Sequence, residues 1–360
     1  MTSTQGPSDP TSPAKREGDP ASSAPTITTR MILALALPSL GALIAEPLFT
    51  VIDSTMVGHL GTPQLAGLGI ASTVLNTAVG LFIFLAYSTT SLAGRHLGAG
   101  RRDRAIRSGV EAMWLAGGLG ALAAILLAVF ASPLLTWLGA DAATMPHALA
   151  YLRASAPGLV GMFVVLAATG TLRGLQDTRT PLVAASVGAA FNAVANWVLM
   201  YPLGLGVAGS GLGTAITQTL MAAFLGWMIV RAARREGVSL RPSTHGLFGA
   251  ALEGAPLLVR TLALRVALLA TLSAVTAIST QALAAHQIVW TLWSFAAYVL
   301  DALAIAAQAL AGFTTGTGER GAMRPLLRTL SRWGIGFGVA VGVALAITAP
   351  WITRIFPTDQ

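Results

Sequence analysis

The chain has 360 residues, of which 54% are hydrophobic and only 10% are charged, and its formal net charge is +8. Soluble domains carry roughly 25% charged residues, so this composition excludes an ordinary soluble enzyme or nucleic-acid-binding domain. Several apolar runs reach the roughly 20 residues that cross a bilayer, which indicates an all-α polytopic membrane protein. The chain contains no cysteine, so disulfides, thiolate catalysis and cysteine metal sites are excluded as well.

Hydropathy divides the chain into a polar tail and a series of membrane spans. Residues 1–30 are rich in Ser, Thr, Pro and Gly without hydrophobic periodicity, which predicts a disordered tail. Nine spans are then predicted, at 31–57, 65–93, 112–138, 147–172, 181–201, 206–231, 247–278, 283–312 and 333–355.

The arginines in the connecting segments alternate with the spans. The segments after spans 2, 4, 6 and 8 are basic, with Arg95 to Arg107, Arg173 and Arg179, Arg231 to Arg241, and Arg320 to Arg332. The segments after spans 1, 3, 5 and 7 contain neither Lys nor Arg. The positive-inside rule therefore predicts a cytoplasmic N-terminus in the cell membrane, and it explains the net charge without a nucleic-acid partner.

An internal repeat relates the two ends of the chain at an offset of 218 residues. Gly98-x-Gly100-x-Arg102 matches Gly316-x-Gly318-x-Arg320, and Pro38 matches Pro256. Six spans separate the copies, so both begin with the same orientation and form parallel repeats. We predict an N-terminal lobe at 31–235 and a partial C-terminal lobe at 236–360. Because the second copy has three spans, we expect a C-terminally truncated chain.

Two carboxylates lie within the first span, where charge is costly and therefore indicates function. Glu46 and Asp53 are seven residues apart, so a helix carries both on one face, about 10 Å apart along its axis. Asn192 and Asn196 share a face of span 5, and Thr214 and Thr217 lie on span 6. Buried amides need partners, so we expect these polar groups to meet Asp53.

A second group of charges lies in spans 7 and 8. Arg260 precedes the short outer turn between these spans by about as many residues as Asp301 follows it. Both residues therefore lie at a similar depth in the membrane, which predicts an ion pair. Arg265 lies nearer mid-membrane with no obvious partner of its own, and it could meet an acid across the bundle, such as Asp53 or Glu46. No Ser/His/Asp arrangement, metal-ligand spacing or cofactor motif is present, so the sequence predicts neither an enzyme nor a cofactor.

Two motifs resemble one transporter family. They are Pro47-Leu-Phe-Thr-Val-Ile-Asp53-Ser-Thr-Met-Val-Gly58-His-Leu-Gly61 and Leu172-Arg-Gly-Leu-Gln-Asp177-Thr-Arg-Thr-Pro181. The first resembles the multidrug and toxic compound extrusion (MATE) transporters, and the second resembles their DNA-damage-inducible (DinF) branch. The resemblance implies two six-helix lobes that alternate in access and export organic, often cationic or amphipathic, compounds in exchange for H+ or Na+. We expect a monomer.

The resemblance also implies a cation site in the N-terminal lobe, at Asp53, Asn192, position 196 and Thr214. Relatives commonly have Asp at position 196, where this chain has Asn, so we expect H+ coupling at Asp53 with Na+ as the alternative. Two other functions stay open at this point. One is a flippase for lipids or lipid-linked glycans, which a cavity lined by Arg260 and Arg265 would indicate, and the other is a truncated membrane protein that does not transport.

Overall fold

The protein is helical throughout the part that the structure describes. A computed structural model describes residues 29–318 and 320–355, which contain no strand. The helices are α1 (Thr29–Gly58), α2 (Thr62–Leu81), α3 (Phe84–Gly98), α4 (Arg102–Trp137), α5 (Met145–Ser155), α6 (Gly158–Gly174), α7 (Arg179–Met200), α8 (Gly206–Arg235), α9 (Thr244–Ile278), α10 (Thr280–Thr317) and α11 (Arg320–Ile355). The predicted tail at 1–30 lies almost entirely outside the described residues.

The predicted membrane spans are confirmed, although two of them are broken helices. In the described residues, eight helices are long and apolar enough to cross a membrane, and the bent pair α5 and α6 makes nine. The second span consists of α2 and α3, which meet at a turn where the Phe82 N–H donates to the Val79 carbonyl. The fourth span bends by 52° between α5 and α6. Pro157 lies at this bend, and it lacks the N–H that a continuous helix needs.

Several predicted boundaries differ from the observed helices, and three of the differences have a clear cause. α4 begins at Arg102 and α11 at Arg320, well before the spans predicted from residues 112 and 333. Hydropathy detects only the part of a helix that crosses the bilayer, and here the Arg-rich turns that precede it are helical too. Arg173 was placed in the connection after span 4, but it belongs to the last turn of α6 and is buried.

The repeated Gly-x-Gly-x-Arg motif occupies the same structural position in both copies. Gly98 ends α3 and Gly316 lies in the last turn of α10. The next glycine of each copy has a positive φ, 71° at Gly100 and 77° at Gly318, a conformation that Gly adopts without a steric penalty. The arginine then begins the next helix, α4 or α11. The repeat therefore encodes one way of ending a helix at the membrane surface.

The repeat-related helices α3 and α10 cross each other at reciprocal glycines. A Cβ atom at Gly98 would overlap the backbone of Phe313, and one at Gly316 would overlap the backbone of Arg95. Gly94 and Gly312, one turn earlier in each helix, also face the partner backbone. Small residues spaced four apart let membrane helices approach closely, so this crossing joins the two copies through backbone contact.

Hydrophobic side chains fill the remaining interfaces in three clusters. One contains residues of every helix from α1 to α8 and is centred on α2, α4, α5 and α6. A second joins α4, α6, α7 and α8, and a third joins α1, α10 and α11. Among the described residues of α9, only Gly254 is buried. The core therefore surrounds α6, and this arrangement turns one face of that helix toward the cavity described below.

Candidate functional site

Asp53 is a buried carboxylate held by two neutral side chains from other helices. Only 4% of the residue is exposed. The Asn196 amide nitrogen donates a hydrogen bond to Asp53 Oδ1 at 3.0 Å, and the Ser210 hydroxyl donates to the same oxygen. These contacts join α1, α7 and α8. Hydrogen bonds to an ionised acceptor are stronger than neutral ones, so the two donors can stabilise a negative charge here.

The two asparagines hold each other in place. Asn196 Nδ2 donates to Asn192 Oδ1 at 3.0 Å, and Asn192 Nδ2 donates to Asn196 Oδ1 at 3.3 Å. Both residues are buried, and their i,i+4 spacing places them one turn apart on α7. Asn192 therefore does not bond to Asp53 itself but orients the amide that does.

Ser210, Thr214 and Thr217 lie along one face of α8. The sequence interpretation selected Thr214 and Thr217 but missed Ser210, although its position one turn before Thr214 was a usable signal. The Thr217 hydroxyl donates to the carbonyl of Gly213 in its own helix, so it does not join the cluster. The Thr214 hydroxyl is buried and lacks a well-formed hydrogen bond among the described residues. The Tyr151 hydroxyl of α5 lies near it.

Gly213 lets α8 approach the asparagine pair. A Cβ atom at this position would overlap the Asn196 amide oxygen. We expect Gly213→Ala to move the Asn196 amide away from Asp53 and to lower substrate affinity by about tenfold, the effect of one lost hydrogen bond to a charged group. Fluorescence titration of purified protein measures this. Gly226→Ala on the same helix is the matched control, because its Cβ would meet nothing closer than 3.9 Å. Equal affinities in the two variants would contradict the prediction.

A cavity of about 320 Å³ opens beside Asp53. Its wall is mostly apolar and comes from α1, α2, α3, α5, α6, α7, α8 and α10, so helices of both repeat copies line it. The polar residues in the wall include Asp53, Tyr87, Tyr151, Arg173, Thr214, Gln218 and Asp301. A concave, largely apolar space with a few polar groups is the usual form of a small-molecule site.

The predicted ion pair between Arg260 and Asp301 is not formed. Only two ion pairs within 4.0 Å join described side chains, and neither includes these residues. Both residues are exposed, so neither charge is buried, and burial does not force the two to pair. Asp301 lines the cavity, whereas Arg260 lies near enough for the two charges to interact but is outside the wall.

Arg265 does not join the Asp53 site. The Arg265 guanidinium lies against Gly80, in the last turn of α2, and forms no ion pair with Asp53. The side chain of Glu46 lies outside the described part of the structure. The contact between Arg265 and Asp53 that the sequence left open is therefore not formed. Helix α9 packs mainly against α3, α4 and α10 instead of entering the centre of the bundle.

Two features of the site bear on which ion it could hold. Among the described residues, no three His, Cys, Asp or Glu side chains cluster to bind a metal ion. The groups that hydrogen-bond to Asp53 are one amide nitrogen and one hydroxyl, both donating.

The sequence interpretation missed three other residues of the cavity wall. Tyr87 and Tyr151 each add a phenol, and Arg173 adds a guanidinium. Two of them belong to helices on which the sequence interpretation had selected no residue, and Arg173 had been placed in a loop.

Comparison with known proteins identifies relatives along most of the chain. The MatE family model matches residues 38–198 and 256–360, two segments that begin at the repeat-related Pro38 and Pro256. Protein DETOXIFICATION 44, chloroplastic, of Arabidopsis thaliana is 32% identical over 343 residues, which are 91% of this chain and 65% of that protein. DNA damage-inducible protein F of Escherichia coli K12 is 29% identical, over 85% of this chain and 68% of that protein. The chain thus spans about two thirds of the length of these relatives.

Solved structures share the fold. The crystal structure of a MATE protein in the bent conformation superposes with a TM-score of 0.83 at 22% identity, over 91% of this chain and 74% of the other. A MOP superfamily transporter from Pyrococcus furiosus gives a TM-score of 0.81 at 21% identity, over 92% of this chain and 74% of the other.

Proposed function

Since the chain belongs to the MATE family of multidrug and toxic compound efflux transporters, we propose that it exports organic compounds across the cytoplasmic membrane in exchange for H+. The observation that carries this proposal is Asp53. It is a buried carboxylate that lines the central cavity and is surrounded by neutral polar side chains. An ionisable residue inside a membrane protein usually marks an ion or substrate pathway.

Asp53 can exchange a proton for substrate because its surroundings support both of its states. Burial favours the neutral acid, while the donors on Asn196 and Ser210 favour the carboxylate. In the proposed cycle, a proton enters from outside and binds Asp53, which releases substrate. On the cytoplasmic side, substrate binding drives the proton off. Protonation and substrate binding then exclude each other, and a proton gradient drives export.

The side chains around Asp53 favour H+ over Na+ as the coupling ion. Sodium requires several oxygen ligands with partial or full negative charge, as hard cations generally do. The Asn196 amide presents its nitrogen to Asp53, while its oxygen accepts a bond from Asn192. A protonated carboxyl group needs no such ligand set, and a single titrating carboxylate is sufficient.

Asn196→Asp should make the site responsive to Na+. The change places a second carboxylate beside Asp53 and supplies the missing oxygen ligands. We expect Na+ to raise the Tm of this variant and to leave wild-type Tm unchanged, as measured by thermal unfolding in NaCl and in choline chloride. Asn196→Ala is the control because it removes the amide without adding charge. An equal Na+ response in wild type would contradict proton coupling at a lone Asp53.

Apolar walls fit varied amphipathic substrates, and we propose that these are organic and often cationic. Adaptable apolar linings are typical of promiscuous sites, and the two cavity acids Asp53 and Asp301 favour a positive charge on the ligand. The similarity to DNA damage-inducible protein F supports placing the chain in the DinF-like branch. We further propose a cytoplasmic N-terminus, lobes at 31–235 and 236–360, and a monomer.

The flippase alternative has less support. Its sequence support was Arg260 and Arg265, and neither residue belongs to the described cavity wall. The choice of coupling ion is tested by loading proteoliposomes with a fluorescent amphipathic cation. An imposed pH gradient should drive its movement, and nigericin should abolish that movement. A Na+ gradient at constant pH should not replace it, and transport driven by Na+ alone would refute the proposal.

A further inference from the structure

Arg173 is a buried cation without an acidic partner among the described residues. It lies in the last turn of α6, only 8% of the residue is exposed, and it lines the cavity. Its Nε has no hydrogen-bond partner, and no ion pair within 4.0 Å joins it to an acid among the described residues. Burying a charge is costly unless it is paired, so this guanidinium indicates that a partner is supplied from elsewhere.

The cavity-facing side of α6 leads directly to this arginine. Met162, Val165, Leu166, Thr169 and Arg173 all line the cavity and follow the spacing of one helix face. The first four provide an almost entirely apolar surface. A ligand that packs along this face therefore meets Arg173 at its end.

Tyr87 of α3 is a second polar residue of the cavity wall near Arg173. It lines the same cavity and lies near enough for its hydroxyl to interact electrostatically with Arg173 and Asp301. A phenol hydroxyl can donate to an oxyanion, and a guanidinium offers a planar fork of donors that matches carboxylate and phosphate. Together they form a donor set from two helices, and Asp301 of α10 flanks it without an ion pair.

This donor set and Asp53 lie toward opposite faces of the membrane. Asp53 precedes the end of α1, at Gly58, by little more than one turn, and Arg173 directly precedes the end of α6, at Gly174. α1 completes the first crossing and α6 the fourth, so these two helix ends face opposite sides. The cavity thus has a carboxylate toward one end and a guanidinium toward the other.

We propose that Arg173 and Tyr87 form an oxyanion subsite that binds a carboxylate or phosphate group of an amphipathic ligand. Such a ligand places its acidic group on Arg173 and its apolar body along α6 toward Asp53. A zwitterion whose cationic end faces Asp53 satisfies both ends of the cavity. The inference rests on the proposed function only in treating this cavity as the substrate pathway.

Equilibrium binding to the purified full chain tests the subsite without an ion gradient. Dansylglycine carries a free carboxylate, and dansylglycine methyl ester has the same skeleton without it. Wild-type protein should bind dansylglycine about tenfold more tightly than the ester, because a hydrogen bond to a charged group is lost in the ester. Arg173→Gln should lower the affinity for dansylglycine about tenfold and leave that for the ester within about twofold.

Two further variants test the subsite if Arg173→Gln does not fold. Arg173→Lys retains the charge but loses the fork, so the preference for dansylglycine should shrink without vanishing. Tyr87→Phe should lower only dansylglycine binding, by about threefold, the effect of one lost neutral hydrogen bond. Equal losses for both probes, or wild-type protein that binds neither probe or both equally, would overturn the subsite.

Competition assigns the source of the oxyanion. Dihexanoylphosphatidic acid that displaces dansylglycine from wild type, but not measurably from Arg173→Lys, would identify a lipid headgroup as the preferred occupant. If acetate and inorganic phosphate displace dansylglycine as potently as dihexanoylphosphatidic acid does, the preferred occupant is a free anion. If proton-coupled transport fails while dansylglycine still binds wild type more tightly than Arg173→Gln, the proposed antiport is refuted and the subsite is retained. If transport succeeds but the two proteins bind dansylglycine equally, only the subsite is refuted.

Discussion

Asp53→Asn is expected to reduce proton-coupled export in proteoliposomes to the level of protein-free vesicles. Asparagine has almost the same shape as aspartate, so the hydrogen-bonded contacts with Asn196 and Ser210 can be rearranged without a cavity. It cannot bind or release a proton, so substrate binding loses its link to the proton gradient. Efflux of a fluorescent cation and acidification of the vesicle lumen are measured together.

Asp103→Asn is the matched control for this experiment. Asp103 is exposed in the first turn of α4 and forms no ion pair with a described residue. The control should retain wild-type efflux and proton flux. Undiminished coupled export by Asp53→Asn would refute the role assigned to Asp53. Loss of export in both variants would point to a general effect of removing negative charge.

Gly98→Val is expected to cause the largest loss of stability among single glycine substitutions. A side chain here meets the backbone of Phe313, which cannot rotate away as a flexible side chain can. The helices α3 and α10 must therefore separate, and overpacking of this kind costs about 1–3 kcal/mol or more of unfolding free energy. We expect a clear drop in Tm in detergent and a loss of the monodisperse peak in size-exclusion chromatography.

Gly118→Val provides the comparison. Gly118 lies within α4, and a Cβ atom there would have no neighbour within 4 Å. Both substitutions add the same β-branched side chain to a membrane helix, so they differ chiefly in the contact that they create. Gly118→Val should unfold close to the wild-type Tm. Equal losses of stability in the two variants would show that the crossing of α3 and α10 does not control stability.

The sequence predicted the features that depend on local composition. Hydropathy and arginine alternation located the membrane spans because crossing a bilayer imposes a length and a charge pattern on each segment. The cost of burying Asp53 made it a candidate site without knowledge of its neighbours. Asn192 and Asn196 followed from helical spacing. The repeated glycines were detected as a pattern, but only the structure shows that they bring the two copies into backbone contact.

The errors concern features that depend on how the helices pack. Equal depth suggested that Arg260 and Asp301 would meet, but depth does not fix which faces of α9 and α10 are turned toward each other. Arg173 resembled the other arginines that end even-numbered spans, yet the bend between α5 and α6 carries it into the cavity wall. Ser210 lies one turn before Thr214 on the same helix, but helical spacing alone does not show that this hydroxyl donates to Asp53.

Proton release on substrate binding tests the central claim most directly. Purified protein in weakly buffered solution is mixed with a saturating amphipathic cation near neutral pH, and the pH change is followed with a soluble dye. If Asp53 exchanges a proton for substrate, wild type releases up to about one proton per bound substrate, and Asp53→Asn releases none while Asp103→Asn behaves as wild type. Proton release of equal size from wild type and Asp53→Asn would contradict the account.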